Sequence, residues 1–189
     1  MSKYNKNAVS MFIRALYSKG LSYLQMSFYQ RNFSFRIVPC NGTKNSSLGF
    51  PTDRYDESQA LITSANYEGA AALYQAAMSI LNDKYAGNQV KITIPCNNDT
   101  TLELEYRPDQ DNQMATFLAI NKNNMTNSFK FSTHSYTVRE NGQMVTKIIQ
   151  SGLGAFAKTI DGYLCGVGAD LHLSKLPEDY DDDQDNYHP

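Results

Sequence analysis

The chain has 189 residues, with 17 Lys+Arg against 19 Asp+Glu, three His, three Cys and no Trp. That length suits one domain with a sizeable core, and no apolar run of 18 residues is present to form a membrane-spanning helix. The net charge of −2 divides unevenly. Residues 1–52 carry seven basic side chains and no acidic one, residues 53–174 carry nine and 13, and residues 175–189 carry one and six. A chain so polarised suits a polyanionic ligand.

Residues 1–20 read as a basic N-terminal arm or short helix, with Val9, Phe12, Ala15 and Leu16 at helical spacing. Being acid-free, they also fit a weak mitochondrial presequence, while their apolar stretch is too short for a secretory signal. From Leu21 the period changes to two. Leu21, Tyr23, Gln25 and Phe28, then Phe33, Phe35 and Ile37, predict two strands around a polar break at 30–32. A Gly-, Asn- and Ser-rich loop follows over 41–49, then a short strand over 59–63. A helix is predicted over 66–81, its apolar face formed by Ala70, Leu73, Tyr74, Ala77 and Leu81.

Strands then resume. Val90, Ile92 and Ile94 alternate, as do Leu102, Leu104 and Tyr106, with a turn at 97–99. Further strands are predicted over 115–121 and 128–133 across an Asn-rich turn at 121–127. Asn141-Gly142 marks a two-residue hairpin between 136–139 and 144–147. A last helix over 149–167 carries Ile149, Leu153, Phe156, Ile160, Leu164 and Val167 on one stripe. Its glycines, Gly152, Gly154, Gly162 and Gly166, each weaken it by about 1 kcal/mol relative to Ala, so it needs a surface to pack on. The expected class is α+β: two antiparallel β-meanders, each followed by a helix, in one domain over 21–174. The tail over 175–189, with six acidic residues, is too charged to fold alone.

Enzyme signatures are sparse. His134, His172 and His188 lack metal-protease spacing, and Gly152-Leu153-Gly154 is no dinucleotide fingerprint. Cys165 near Asp170 and His172 reads better as a buried thiol on the helix stripe than as a nucleophile. Glu103 and Glu105 share a strand face, a common arrangement for solvated acids. Cys40, Cys96 and Cys165 are odd in number and never in a C-x-x-C pair, which disfavours disulfides and structural zinc. No catalytic residue, metal or cofactor is expected.

The basic front is also aromatic, holding nine of the chain's 22 Phe and Tyr. Exposed rings stack on unpaired bases at about 1–3 kcal/mol each, while cations track phosphates. The expected phosphate contacts are Arg14, Lys19, Arg31 and Arg36, with Lys91 and Lys130 from the second meander. Tyr23, Tyr29, Phe33 and Phe35 are the expected stacking residues, with the reservation that aromatics also dominate cores. The acidic tail can imitate nucleic acid on the basic face, recruit replication or recombination partners, or simply solubilise the chain.

Two segments, 60–73 (Ala-Leu-Ile-Thr-Ser-Ala-Asn-Tyr-Glu-Gly-Ala-Ala-Ala-Leu) and 115–121 (Ala-Thr-Phe-Leu-Ala-Ile-Asn), sit in this order of strands and helices. With the final helix closed by Tyr163-Leu164, they give a chain that resembles the Whirly-type single-stranded-DNA-binding fold over about residues 20–167. That fold is shared with transcriptional positive-cofactor coactivators and some phage single-strand binders. The lysine-rich K-G-K-A-A-L stretch of plant Whirly proteins is missing, so none of their DNA contacts transfers. The resemblance implies sheets that bind single strands and homo-oligomers, often tetramers, formed through the helices.

The resulting expectation is a non-enzymatic, sequence-tolerant single-stranded-DNA binder for replication, recombination or repair, in the cytoplasm of a bacterium or phage-infected host, with no membrane partner. Its alternatives are an RNA binder of the same fold and an oligomeric phage assembly protein without nucleic-acid affinity.

Overall fold

The computed structural model of the chain describes residues 11–18, 22–29, 32–40, 55–96 and 99–173, without side chains for 11–15, 17, 28, 29 and 167–173. Strands β1 (Met11–Ser18), β2 (Ser22–Tyr29), β3 (Asn32–Pro39) and β4 (Leu61–Ala65) pair antiparallel in chain order. A single 3-10 turn, Glu57–Gln59, precedes β4, and helix α1 (Tyr67–Leu81) follows it. The second sheet repeats the meander with β5 (Val90–Pro95), β6 (Thr100–Pro108), β7 (Met114–Lys122) and β8 (Met125–Lys130). Strands β9 (His134–Glu140) and β10 (Gln143–Ile149) form a hairpin, and α2 (Ser151–Leu173) closes the described chain.

The α+β class with antiparallel sheets therefore holds, with one correction of architecture. The β9–β10 hairpin is a third, separate two-stranded sheet. Its rungs run from Gln143–Glu140 to Ile149–His134, and nearly all of its side chains are exposed. The expected acidic tail lies outside the described residues.

The N-terminal segment also differs from expectation, since 11–18 is a strand and not a helix. Ladder pairs Leu16–Leu24 and Ser18–Ser22 hold it to β2, and the register shifts between Phe12 and Arg14. That bulge adds one residue to the alternation and so imitates helical spacing. In β2 the buried positions are Ser22, Leu24 and Met26, so Tyr23 and Gln25 lie on the opposite face. In β3 the alternating Phe33, Phe35 and Ile37 share one face, and that face points inward.

Local chemistry explains the boundaries. Asn66 caps α1, its Oδ1 accepting the Gly69 N–H at 2.8 Å, and Glu68 in the first turn complements the helix dipole. The β7–β8 turn is tighter than the 121–127 span suggests. Asn123 and Asn124 both have positive φ (48° and 64°), as Asn141 (51°) and Gly142 (83°) do between β9 and β10. Two consecutive left-handed residues match the twist of a two-residue hairpin, and Asn tolerates that region.

One core joins the two meanders and both helices. Phe33 and Phe35 meet edge to face at 4.9 Å. From α2, Tyr163 lies 4.9 Å from Phe33 and Phe156 lies 6.1 Å from Phe35. Phe131 stacks 5.1 Å from Phe156. Leu102, Leu104, Leu118, Ile120 and Phe129 supply the second sheet's contribution, and Ala70, Leu73, Ala77 and Ile80 supply that of α1. Polar stitches hold the seam. Asn127 Nδ2 donates to the carbonyls of Ile37 (3.1 Å) and Gln59 (2.7 Å), and the Thr63 and Thr100 hydroxyls bond at 2.9 Å.

The last helix thus finds the surface its glycines require. At Gly152 that surface leaves no room for a side chain, since an added Cβ would sit 2.7 Å from the Ser132 backbone nitrogen. The buried stripe is Leu153, Phe156, Ala157, Ile160 and Tyr163. Ile149, expected on it, ends β10 and is half exposed.

Candidate nucleic-acid interface

Alternation in β2, β3 and β4 divides the first sheet into an apolar inner face and a polar outer one. The register aligns Gln25 with Arg36, Ser27 with Ser34, Arg36 with Ile62 and Ser34 with Ser64. The outer face thus carries the hydroxyls of Tyr23, Ser27, Ser34 and Ser64, the amides of Gln25 and Asn32 and the Arg36 guanidinium, with Ile62 exposed beside Arg36. The four strands of this sheet contain Arg14 and Arg36 and no carboxylate.

Arg36 is held at the centre of that face. Its Nη1 donates to the Tyr23 hydroxyl (3.2 Å) and to Gln25 Oε1 (3.4 Å), and its Nη2 pairs with the Glu57 carboxylate. Tyr23 in turn donates to Glu57 Oε1 at 2.5 Å and meets Tyr55 edge to face at 4.9 Å. The Arg36 side chain remains 29% exposed and the Glu57 side chain 56% exposed. A planar donor fork beside an aromatic hydroxyl, at a half-open site, is geometry that a phosphate can use.

The other expected site residues are placed as follows. Phe33 and Phe35 are fully buried, a correction to their expected stacking role. Their side chains face α2, where they meet Tyr163 and Phe156. Lys19 and Arg31 lie outside the described residues. Arg14 and Tyr29 lie on β1 and β2, but only their backbones are described. Among the expected residues whose side chains are described, Tyr23 and Arg36 meet on the outer face.

Lys91 and Lys130 lie on the other sheet and are already engaged. Lys91 Nζ sits 2.8 Å from Glu103 and 3.4 Å from Glu105, and Arg107 Nε donates to Glu105 at 2.8 Å while covering the Phe117 ring at 4.0 Å. Lys130 Nζ reaches Asp109 at 2.6 Å, and the same carboxylate accepts the backbone N–H groups of Asp111 and Gln113. Glu103 and Glu105 are thus members of a salt-bridge ladder around Lys91. This outer face mixes both signs, in contrast with the acid-free strands of the first sheet.

These contacts shift the acids. Burial is the largest single influence on Glu103 and pushes its pKa up, but hydrogen bonds from Lys91, Asn121 and Thr93, with the Lys91 charge, outweigh it and leave the carboxyl below its ordinary value. The Lys130 hydrogen bond, then the turn's N–H groups, lower Asp109 in the same way. A depressed folded-state pKa contributes stability above the ordinary carboxylate range, and that contribution is lost as pH falls through the folded value. The urea midpoint should therefore drop on acidification below about pH 4, the ordinary carboxylate range, and the double variant Glu103→Gln/Asp109→Asn should show a shallower drop. An equal drop in the variant would contradict the assignment.

No protein-family model and no curated protein matches the chain.

Cys165 is exposed, not buried as the stripe suggested, because it lies one residue past the Tyr163–Leu164 edge of the packed face. The described residues include no group of three or more His, Cys, Asp or Glu placed to hold a metal. His134 Nδ1 shares a 2.6 Å hydrogen bond with Ser151 Oγ at the base of the β9–β10 hairpin. A shallow concavity of about 370 Å³ at the β7–β8 turn is lined by Asp99, Thr101, Asn121, Lys122 and Thr126. No helix among the described residues is long and apolar enough to cross a membrane.

Two members of the outer-face cluster are absent from the sequence-derived set. Gln25 was legible as the cross-strand partner of Arg36 once β2 and β3 were paired. Glu57 had no periodic signal, because it comes from the turn before β4 and joins the sheet only through tertiary placement.

Proposed function

We propose that the protein binds single-stranded DNA non-enzymatically and with little sequence preference, in replication, recombination or repair, through the outer face of its first sheet. The observation that carries this reading is the acid-free sheet with Arg36 seated between Tyr23 and Gln25. Its first three strands come from the segment with seven basic residues and no acidic one. Phosphates would follow the guanidinium, and bases would lie on Tyr23, Ile62 and the hydroxyl row. The order of two four-stranded meanders, each with a helix after it, supports a Whirly-type arrangement in which the β9–β10 hairpin is an insertion before α2. Assembly into homo-oligomers and recruitment of partners by the acidic tail belong to the same proposal. RNA is the closest variant ligand, since no reader of the 2′-hydroxyl is evident.

The test is competition. Fluorescence anisotropy of labelled oligo-dT should rise on titration at low salt, and unlabelled single strand should displace the label more effectively than duplex of equal length. A folded protein that leaves the anisotropy unchanged would overturn the reading.

One observation favours the assembly alternative. The β9–β10 ribbon exposes Tyr136, Met144, Ile148 and Ile149, and an isolated two-stranded ribbon is only marginally stable in water. An oligomer by light scattering, with no affinity for oligo-dT, would select that reading.

A further inference from the structure

Among the described residues, Glu57 is the carboxylate bonded to Arg36 and Tyr23 on the outer face of the first sheet. Its position is built, not incidental. The Asp56 backbone N–H donates to the Pro39 carbonyl at 2.8 Å, and Asp56 Oδ1 caps the turn through Ser58 N at 3.1 Å and Ser58 Oγ at 2.5 Å. At the other end, the Gln59 carbonyl accepts Asn127 Nδ2 at 2.7 Å. An isolated bridge between Cys40 and Tyr55 fastens the approach, and the Tyr55 ring packs on Tyr23. A strap anchored at both ends therefore holds one anion against the guanidinium at the centre of an otherwise acid-free sheet.

We propose that Glu57 is a resident anion in a phosphate-binding notch formed by Arg36, Tyr23 and Gln25, and that a nucleic-acid phosphate binds there by displacing it. The inference rests on the reading of this face as the single-strand site and adds a control to it. An exposed ion pair contributes little to stability, so the carboxylate can be released at small expense. Arg36 would then exchange one oxyanion for another while Tyr23 and Gln25 keep it oriented. Weakly held competitors would leave Glu57 in place, and only a strand delivering several phosphates together would displace it.

The experiment compares four full-length proteins in oligo-dT anisotropy at one low salt concentration: wild type, Glu57→Gln, Arg36→Ala and the double variant. A fifth, Asp111→Asn, removes an exposed acid at a distant turn and controls for net charge. Glu57→Gln keeps the shape and removes the competing charge, so it should bind about two- to fivefold more tightly than wild type, a range typical of one exposed charge pair. Asp111→Asn should bind like wild type, and the gain from Glu57→Gln should vanish when Arg36 is Ala. Equal affinity of Glu57→Gln and wild type would overturn the proposal while leaving the single-strand reading intact. A gain that persists in the Arg36→Ala background would also overturn it, since the acid would then act by general repulsion. If no variant binds while circular dichroism shows folded protein, both the notch and the single-strand reading fall.

Discussion

Phe35→Ala is expected to destabilise the protein by about 3–5 kcal/mol, the range for removing a fully buried aromatic ring. Phe35 is 0% exposed and touches Phe33 within its own strand and Phe156 on α2, so truncation leaves a void where the sheet meets the helix. Against the roughly 5–15 kcal/mol that holds a typical domain, that loss is a large fraction. For a chain of this size it should lower the thermal midpoint by about 10 °C. Far-ultraviolet circular dichroism on heating measures it directly. The variant also separates the two roles that an aromatic in the basic front can take. A core ring lowers the midpoint and leaves the affinity of the folded fraction for oligo-dT near wild type. A stacking ring would do the reverse, and that outcome would contradict the fold described here.

Arg36→Ala should have the complementary signature. Its ion pair with Glu57 is exposed, and pairs of that kind contribute about 0–1 kcal/mol, so the melting curve should barely move. Affinity for oligo-dT should fall by about three- to tenfold, as expected for one lost phosphate contact. The salt dependence should weaken along with it, by about 0.7 in the slope of log affinity against log salt. Arg36→Lys keeps the charge without the planar fork and should recover part of the affinity. Wild-type binding by Arg36→Ala would remove the outer-face cluster from the interface and transfer the role to the other basic residues of the front.

The contrast between these neighbours shows what the sequence could reveal. Phe33, Phe35 and Ile37 alternate cleanly, so the face of β3 was legible, and with it the outward position of Arg36. Which face meets the core was not, because a period of two assigns sides without saying which side is covered. In β2 both sides carry plausible candidates: Tyr23 competes with Leu24 and Met26, and packing against α2 and the second sheet decides in favour of the latter pair. β1 was read as helix because its bulge disrupts the alternation.

Strong local signals carried further. Asn66 before an apolar run marked the start of α1, and Asn141-Gly142 marked the β9–β10 turn, since both depend on neighbouring residues alone. The ion pairs depend on register. Lys91 lies directly opposite Glu105 in the β5–β6 ladder, a pairing available only once the hairpin is aligned. The pairing of Arg36 with Glu57 spans 21 residues and an intervening loop, and no sequence pattern encodes it. The charge division along the chain was fully legible. The fold adds that its acid-free part supplies three adjacent strands of one sheet, converting a compositional bias into a surface.

The most direct test of that surface is the salt dependence of oligo-dT binding by the wild-type chain, followed by anisotropy from low to physiological ionic strength. Affinity should fall linearly on logarithmic axes, with a slope of about −0.7 for each phosphate neutralised, and a total of several phosphates. Binding that is absent at low salt, or that ignores salt altogether, would contradict a polyanion site on the basic sheet.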